Sequence, residues 1–211
     1  MSQVRSIVHR LVEEARKELF TNLIIVDRPQ APAIDWESMV DNPTESRVGW
    51  SFLNNEQTKF AVDGQWWLYK QMFKEQKLQE KFIDERSSRS PRFKKAAAEA
   101  YQRNVNRFQE LMLILMHMCA GQPGRAPEIL GIRWKNTEQG GIRNIFIEDG
   151  LVAVVTGYHK GYRSSNNIKI IHRYLLQEIG ELLVYYLWLV LLFYEKLQFQ
   201  TRGEQCSSAF L

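Results

Sequence analysis

Cysteine is nearly absent: 211 residues contain two, Cys119 and Cys206. Two thiols at that spacing form neither a zinc knuckle nor a disulfide framework, and a reducing, intracellular compartment is expected. Cys119 lies in the apolar run 111–120, where a buried, inert thiol is expected. Histidine is almost as scarce, with four. No His-Glu-x-x-His, Cys-x-x-Cys or Ser/His/Asp grouping occurs. Metal hydrolysis and acyl transfer therefore lack a residue set, and no metal or small-molecule cofactor is expected. There is no Gly-rich phosphate loop and no internal repeat. Residues 1–14 alternate charged and apolar types and lack the continuous apolar core of a signal peptide. The most apolar run, 182–194, holds 13 uncharged residues between Glu181 and Glu195. A single membrane-crossing helix needs about 20, so a buried helix is expected there, and membrane association stands as an alternative.

What is present is core material. Hydrophobic residues make up 45% and aromatics 12% of the chain, enough for one large domain or two small ones and too much for a disordered chain. Net charge is +4. That suits a nucleic-acid partner but also many other soluble proteins.

Val4, Ile7, Val8, Leu11, Val12, Ala15 and Leu19 recur at helical spacing and predict a first helix over 2–20. Pro29, Pro32 and Pro43 then break the chain into a loop around Ile34 and Trp36. Residues 45–60 suggest one short helix and a turn. Residues 64–83 predict another helix, with Trp67, Leu68, Met72, Leu78 and Phe82 facing inward. The polar, Ser-rich stretch 84–92 reads as a linker. A division there separates a helical region, 1–90, from 91–211. A long helix is predicted over 93–118, broken by the segment 121–124. Arg86, Arg89, Arg92, Lys94 and Lys95 form the densest positive run, and are the best phosphate-contact candidates outside the segment around Arg125. Pro127 fits the first turn of a further helix. Residues 143–148 and 151–156 alternate as strands around Asp149-Gly150, a strong hairpin signal. A third short strand is expected over 168–171, and a helix over 177–197.

Between the long helix and the hairpin stands Gly124-Arg125-Ala126-Pro127-Glu128-Ile129-Leu130-Gly131-Ile132-Arg133-Trp134. It resembles the arginine box of tyrosine recombinases: Arg, then Glu three residues on, apolar residues, and Trp nine residues on. The family often has Asp two residues after the Trp, where this chain has Asn136. Pro123 stands where the family usually has Gly. The order helix, box, hairpin, helix over about 111–192 also follows the family. The phrasing is similar to crypton-like recombinases encoded by fungal mobile elements.

The resemblance implies a fold that is mainly α with a small antiparallel β-sheet. In it a helical N-terminal region, a candidate DNA-binding clamp, precedes an incomplete recombinase-like catalytic domain. It implies that Arg125 grips a phosphate and that Lys160, at the end of the second strand, is the general acid; Lys169 is the alternative. Without the resemblance, Arg125 reads as a helix-start arginine paired with Glu128, and Lys160 as an exposed turn lysine. No His is followed three residues on by Arg, and Tyr185, Tyr186 and Tyr194 sit in an apolar helix, so a truncated, catalytically incomplete copy is expected. The expected partner is DNA, in integration or recombination, at a nuclear location. Self-association through the apolar 182–194 helix is also expected, because a shortened domain leaves that helix uncovered. A helical protein-interaction module without nucleic-acid activity is the competing function.

Overall fold

The computed structural model describes residues 2–26, 28–84, 92–121, 124–158 and 169–203. Among them the protein is mainly helical, with two small antiparallel sheets. Helix α1 (Ser2–Lys17) continues through a wide π-type turn, Glu18–Ile24. That turn ends at Ile25, whose backbone is left-handed (φ 61°). Of the predicted apolar stripe, Val12, Ala15 and Leu19 are buried and Val8 and Leu11 partly buried, whereas Val4 and Ile7 in its first turns are exposed; Leu23 extends the buried face.

Residues 64–83 do not form the single helix their spacing predicts. They belong to α2 (Lys59–Gly64), α3 (Trp67–Lys74) and α4 (Gln76–Phe82). Glu75 is extended (φ −99°, ψ 115°) and folds α4 back against α3. The bend lets Leu68, Met72, Leu78 and Phe82 all reach the interior. Residues 45–60 contain only a 3-10 turn, Phe52–Asn54, before α2 begins.

Across the predicted linker, β1 (Ile83–Asp84) pairs antiparallel with β2 (Arg92–Phe93). Helix α5 (Lys95–Cys119) follows, then the short α6 (Ala126–Leu130). Cys119, the last residue of α5, is half-buried rather than buried. The second sheet has the order β3-β4-β5: β3 (Ile145–Glu148), β4 (Leu151–Tyr158) and β5 (Lys169–Tyr174). Asp149 (φ 50°) and Gly150 (φ 74°) are both left-handed, which is the turn that matches the twist of a two-residue hairpin. Ile145, Phe146 and Ile147 are all buried, so both faces of β3 are covered.

The last helical rod is α7 (Gln177–Tyr185), a π-type turn (Tyr186–Val190) and α8 (Leu191–Arg202). It is the one helix among the described residues long and apolar enough to cross a membrane, and 72% of that window is buried within the protein. Its apolar face is not left uncovered. Residues 182–191 are buried, because the first 82 residues wrap them. Phe20 packs edge-on to Tyr185 at 5.3 Å, Trp188 donates to the Ala61 carbonyl at 2.9 Å, and Phe82 meets Phe193 at 5.6 Å. From the other side α5 supplies Phe108, stacked on Tyr186 at 5.1 Å. Residues on both sides of the expected division near 90 therefore share one apolar cluster. Gly180 lets α7 approach the sheet: a Cβ there would lie 3.0 Å from Val152 Cγ2.

Candidate nucleic-acid interface

Arg125 precedes the first residue of α6, with an extended backbone (φ −72°, ψ 154°). Pro127 fits the first turn as expected, since its missing N–H is not needed there. The Arg125 side chain is half-exposed and ion-paired with Glu128: its Nε donates to Oε1 at 2.6 Å. The Arg125 backbone N–H donates to Oε2 of the same carboxylate at 3.2 Å. This is the pairing that the spacing alone suggests.

A second arginine joins it from the sheet. Arg173, on β5, lies opposite Val154 of β4 and is buried. Its Nη1 donates to Thr156 Oγ1, and its Nη2 stands 3.7 Å from Glu128 Oε2. Gly124 lies against it; a Cβ there would be 3.5 Å from Nη2 and 3.0 Å from Ile129 Cγ1. Two guanidiniums from distant parts of the chain thus converge on one carboxylate. The Arg125 Nε–H bond holds the Glu128 carboxyl below its ordinary value, and both positive charges act in the same direction. Arg173 carries no signal in the sequence beyond being a charged residue on a short strand.

Lys160 lies outside the described residues, as do Arg86 and Arg89 and the side chain of Lys169. Arg92, Lys94 and Lys95 are exposed at the start of α5. The Lys94 ammonium is engaged, donating to the Glu80 carbonyl at the end of α4 at 2.5 Å. Arg107 pairs with Glu14 and Glu110, while Arg103 is exposed on the outer stripe of α5. Arg92 and Lys95 are not near Arg125. Residues of α6 pack beside Leu113, Ile114, His117 and Met118 at the far end of α5, about 33 Å from Lys95 at 1.5 Å per residue.

Two further residues matter more than the sequence indicates. Asn136, the departure from the box, is buried and works as a clasp. Its Nδ2 donates to the carbonyls of Glu45 (2.9 Å) and Arg47 (3.0 Å), and its Oδ1 accepts from the Arg143 N–H at 3.1 Å. An Asp has no N–H to make the first two bonds. Arg143 is fully enclosed, its guanidinium 4.4 Å from the ring centroids of both Trp50 and Phe146. Its Nη2 donates to Asp41 at 2.5 Å and to the Asn42 carbonyl at 3.0 Å. Burial raises the Asp41 carboxyl and lowers the Arg143 guanidinium, so desolvation outweighs their attraction at both ends. Asp41 also accepts from the Ile147 N–H at 2.9 Å, covering the edge of β3. These contacts fix the 40–57 loop to the sheet.

Two concavities flank these features. An apolar groove of about 430 Å3 runs between α5 and α6, where Ile114, Met118 and Leu130 are exposed. A polar cleft of about 630 Å3 lies among the 40–57 loops, with Glu45 and Arg47 paired to each other. No group of His, Cys, Asp and Glu among the described residues is arranged to hold a metal ion. No family model, curated protein or solved structure matches the chain. The likeness to tyrosine recombinases therefore rests on the residues of the box and the hairpin.

Proposed function

We propose that this chain binds duplex DNA, in a role related to integration or recombination by a mobile element. The observation that carries the reading is the convergence of Arg125 and Arg173 on a single oxyanion. Planar guanidinium forks bind carboxylate and phosphate with the same geometry, and the pairing of β5 with β4 places Arg173 beside Glu128. Exposed Arg92, Lys95 and Arg103 add sequence-independent attraction to the backbone. About six helical turns separate Lys95 from His117, so both stand on one side of α5. The span of about 33 Å between them is close to one turn of duplex, about 34 Å. A duplex along α5 then meets positive charge at both ends. The role proposed is binding rather than strand exchange, since the sequence has no His-x-x-Arg pair. A nuclear location follows from the same reading.

Fluorescence anisotropy with a two-turn duplex, titrated from about 50 to 200 mM salt, tests it. Affinity should fall steeply, with a logarithmic slope of about −0.9 per phosphate contact. Arg92→Ala with Lys95→Ala should flatten that slope by about 2. Absence of binding at the lowest salt refutes the proposal. The apolar groove favours the second reading, a helical interaction module, which predicts no DNA affinity and a partner retained at high salt.

A further inference from the structure

The two edges of the second sheet differ. On the β3 edge, Asp41 of the 40–57 loop accepts the outward Ile147 N–H at 2.9 Å. On the β5 edge nothing among the described residues pairs with the strand. The direction of its backbone groups follows from the ladder. Val155 donates its N–H to Asn144 on the β3 side at 2.7 Å, while Leu175 donates to Val152 at 2.9 Å. Bonding alternates along an antiparallel pair, so Val154 and Thr156 bond to Arg173 and Ile171, the residues opposite them. Ile170, His172 and Tyr174 therefore turn their N–H and C=O groups away from the sheet. We infer that a second copy of this chain adds to this edge, β5 antiparallel to β5, joining two three-stranded sheets into one.

Edge strands are usually blunted by proline, a bulge or lysines along the strand. β5 keeps six consecutive one-to-one pairs with β4, contains no proline and has its lysine only at the first position. Its outer face carries Ile170, 68% exposed, and Tyr174, 47% exposed, on either side of His172. A two-fold axis through His172 sets Ile170 of each copy opposite Tyr174 of the other. Such a β-branched–aromatic cross-strand pair is favourable, and it forms twice in an isologous interface. An unrelated peptide gains the backbone bonds without that matched pairing. At the axis His172 meets its own copy. Each imidazole stands 3.4 Å from its own Glu148 carboxylate, so like charges do not meet uncompensated. On the covered face Arg173 falls opposite Ile171 rather than a second arginine. The opposed pairs exchange about six hydrogen bonds. So short an edge buries less than a permanent dimer needs, and a dissociation constant of about 1 μM or weaker is expected.

Sedimentation velocity of the full chain, without DNA, from about 1 to 200 μM should show a monomer–dimer equilibrium. Ile170→Lys puts a charge on the edge and should weaken the dimer about tenfold or more. His172→Pro removes an outward N–H that β4 does not use, so the fold should persist while the dimer is lost. Leu130→Lys, on the apolar groove between α5 and α6, should leave the dimer unchanged. Circular dichroism checks that each variant is folded, and Ile170→Lys decides alone if His172→Pro is not. The register is tested in a chain carrying Cys119→Ser and Cys206→Ser. His172→Cys then places two thiols on Cα atoms about 5.5 Å apart, within disulfide reach, and oxidation should link the copies. Ile170→Cys lies about 13 Å from its own copy along the strands and should stay unlinked. A monomer at every concentration overturns the inference. So does a dimer undiminished by Ile170→Lys, a dimer lost in Leu130→Lys, or linkage through Ile170→Cys rather than His172→Cys. Since DNA is left out, failure of DNA binding does not alter any of these results.

Discussion

Gly64→Ala is expected to destabilise this protein, although helix propensity alone predicts the reverse. Gly64 closes α2, and an alanine there should add up to about 1 kcal/mol of stability in an exposed helix. A Cβ at 64 would lie 2.8 Å from Trp188 Cε2 and 2.9 Å from Nε1, and closer still to Cζ2. Trp188 cannot yield easily: it is 2% exposed, packs edge-on against Phe60 at 5.0 Å and donates to the Ala61 carbonyl at 2.9 Å. Overpacking a filled core costs about 1–3 kcal/mol. Shifting the indole also weakens a buried hydrogen bond worth about 1 kcal/mol. The packing terms outweigh the propensity gain, leaving a net loss of about 1–3 kcal/mol. With a slope of about 2 kcal/mol per M, the urea midpoint should fall by about 0.5–1.5 M. Trp188→Leu should be costly alone but should reverse the sign of the Gly64→Ala effect in a double-mutant cycle. An unchanged or raised midpoint for Gly64→Ala would refute the placement of α2 on the rod.

Other outcomes follow from neighbouring contacts. Asn136→Asp should destabilise by about 1–3 kcal/mol in denaturant titrations, because both carbonyl-directed donors are lost. Arg143→Met should cost about 3–5 kcal/mol by leaving Asp41 charged and buried, and adding Asp41→Leu should recover much of that loss. Glu128 has its folded-state value below the ordinary 4.5, so its stabilisation is complete above about pH 4.5 and fades as pH falls through the lowered value. Urea midpoints of the parent and Glu128→Gln should therefore differ at neutral pH and converge in acid. Incubation with a nicked suicide duplex should give no covalent adduct, since Tyr185 and Tyr186 are buried and an attacking oxygen needs access to the phosphate; an adduct on either tyrosine would overturn that expectation.

Local signals determined much of the fold. The spacing of Val12, Ala15 and Leu19 placed the buried face of α1, and Asp149-Gly150 specified its turn because few residue pairs accept two left-handed positions. Pro127 and the Arg125–Glu128 spacing marked the start of α6 and its ion pair. These features depend on residues within a few positions of one another, and a sequence records them directly.

Other features depend on which distant segments meet. Nothing near Glu75 announces the bend between α3 and α4; it is made so that Met72 and Phe82 can both reach one core. The length of the apolar run 182–194 favours a buried helix over a membrane helix, but says nothing of what buries it. Only the tertiary structure shows that residues 1–82 wrap it, because burial is a property of the whole chain. Arg173 looks like any strand arginine until β5 pairs with β4 and points it at Glu128. Asn136 looks like a lapse from a motif, yet two carbonyls about 90 positions away explain it. The sequence by itself determined the buried face of α1, the Asp149-Gly150 turn and the start of α6. The tertiary structure alone decided what covers the last helix and which charges share a site, since both require contacts that no local pattern encodes.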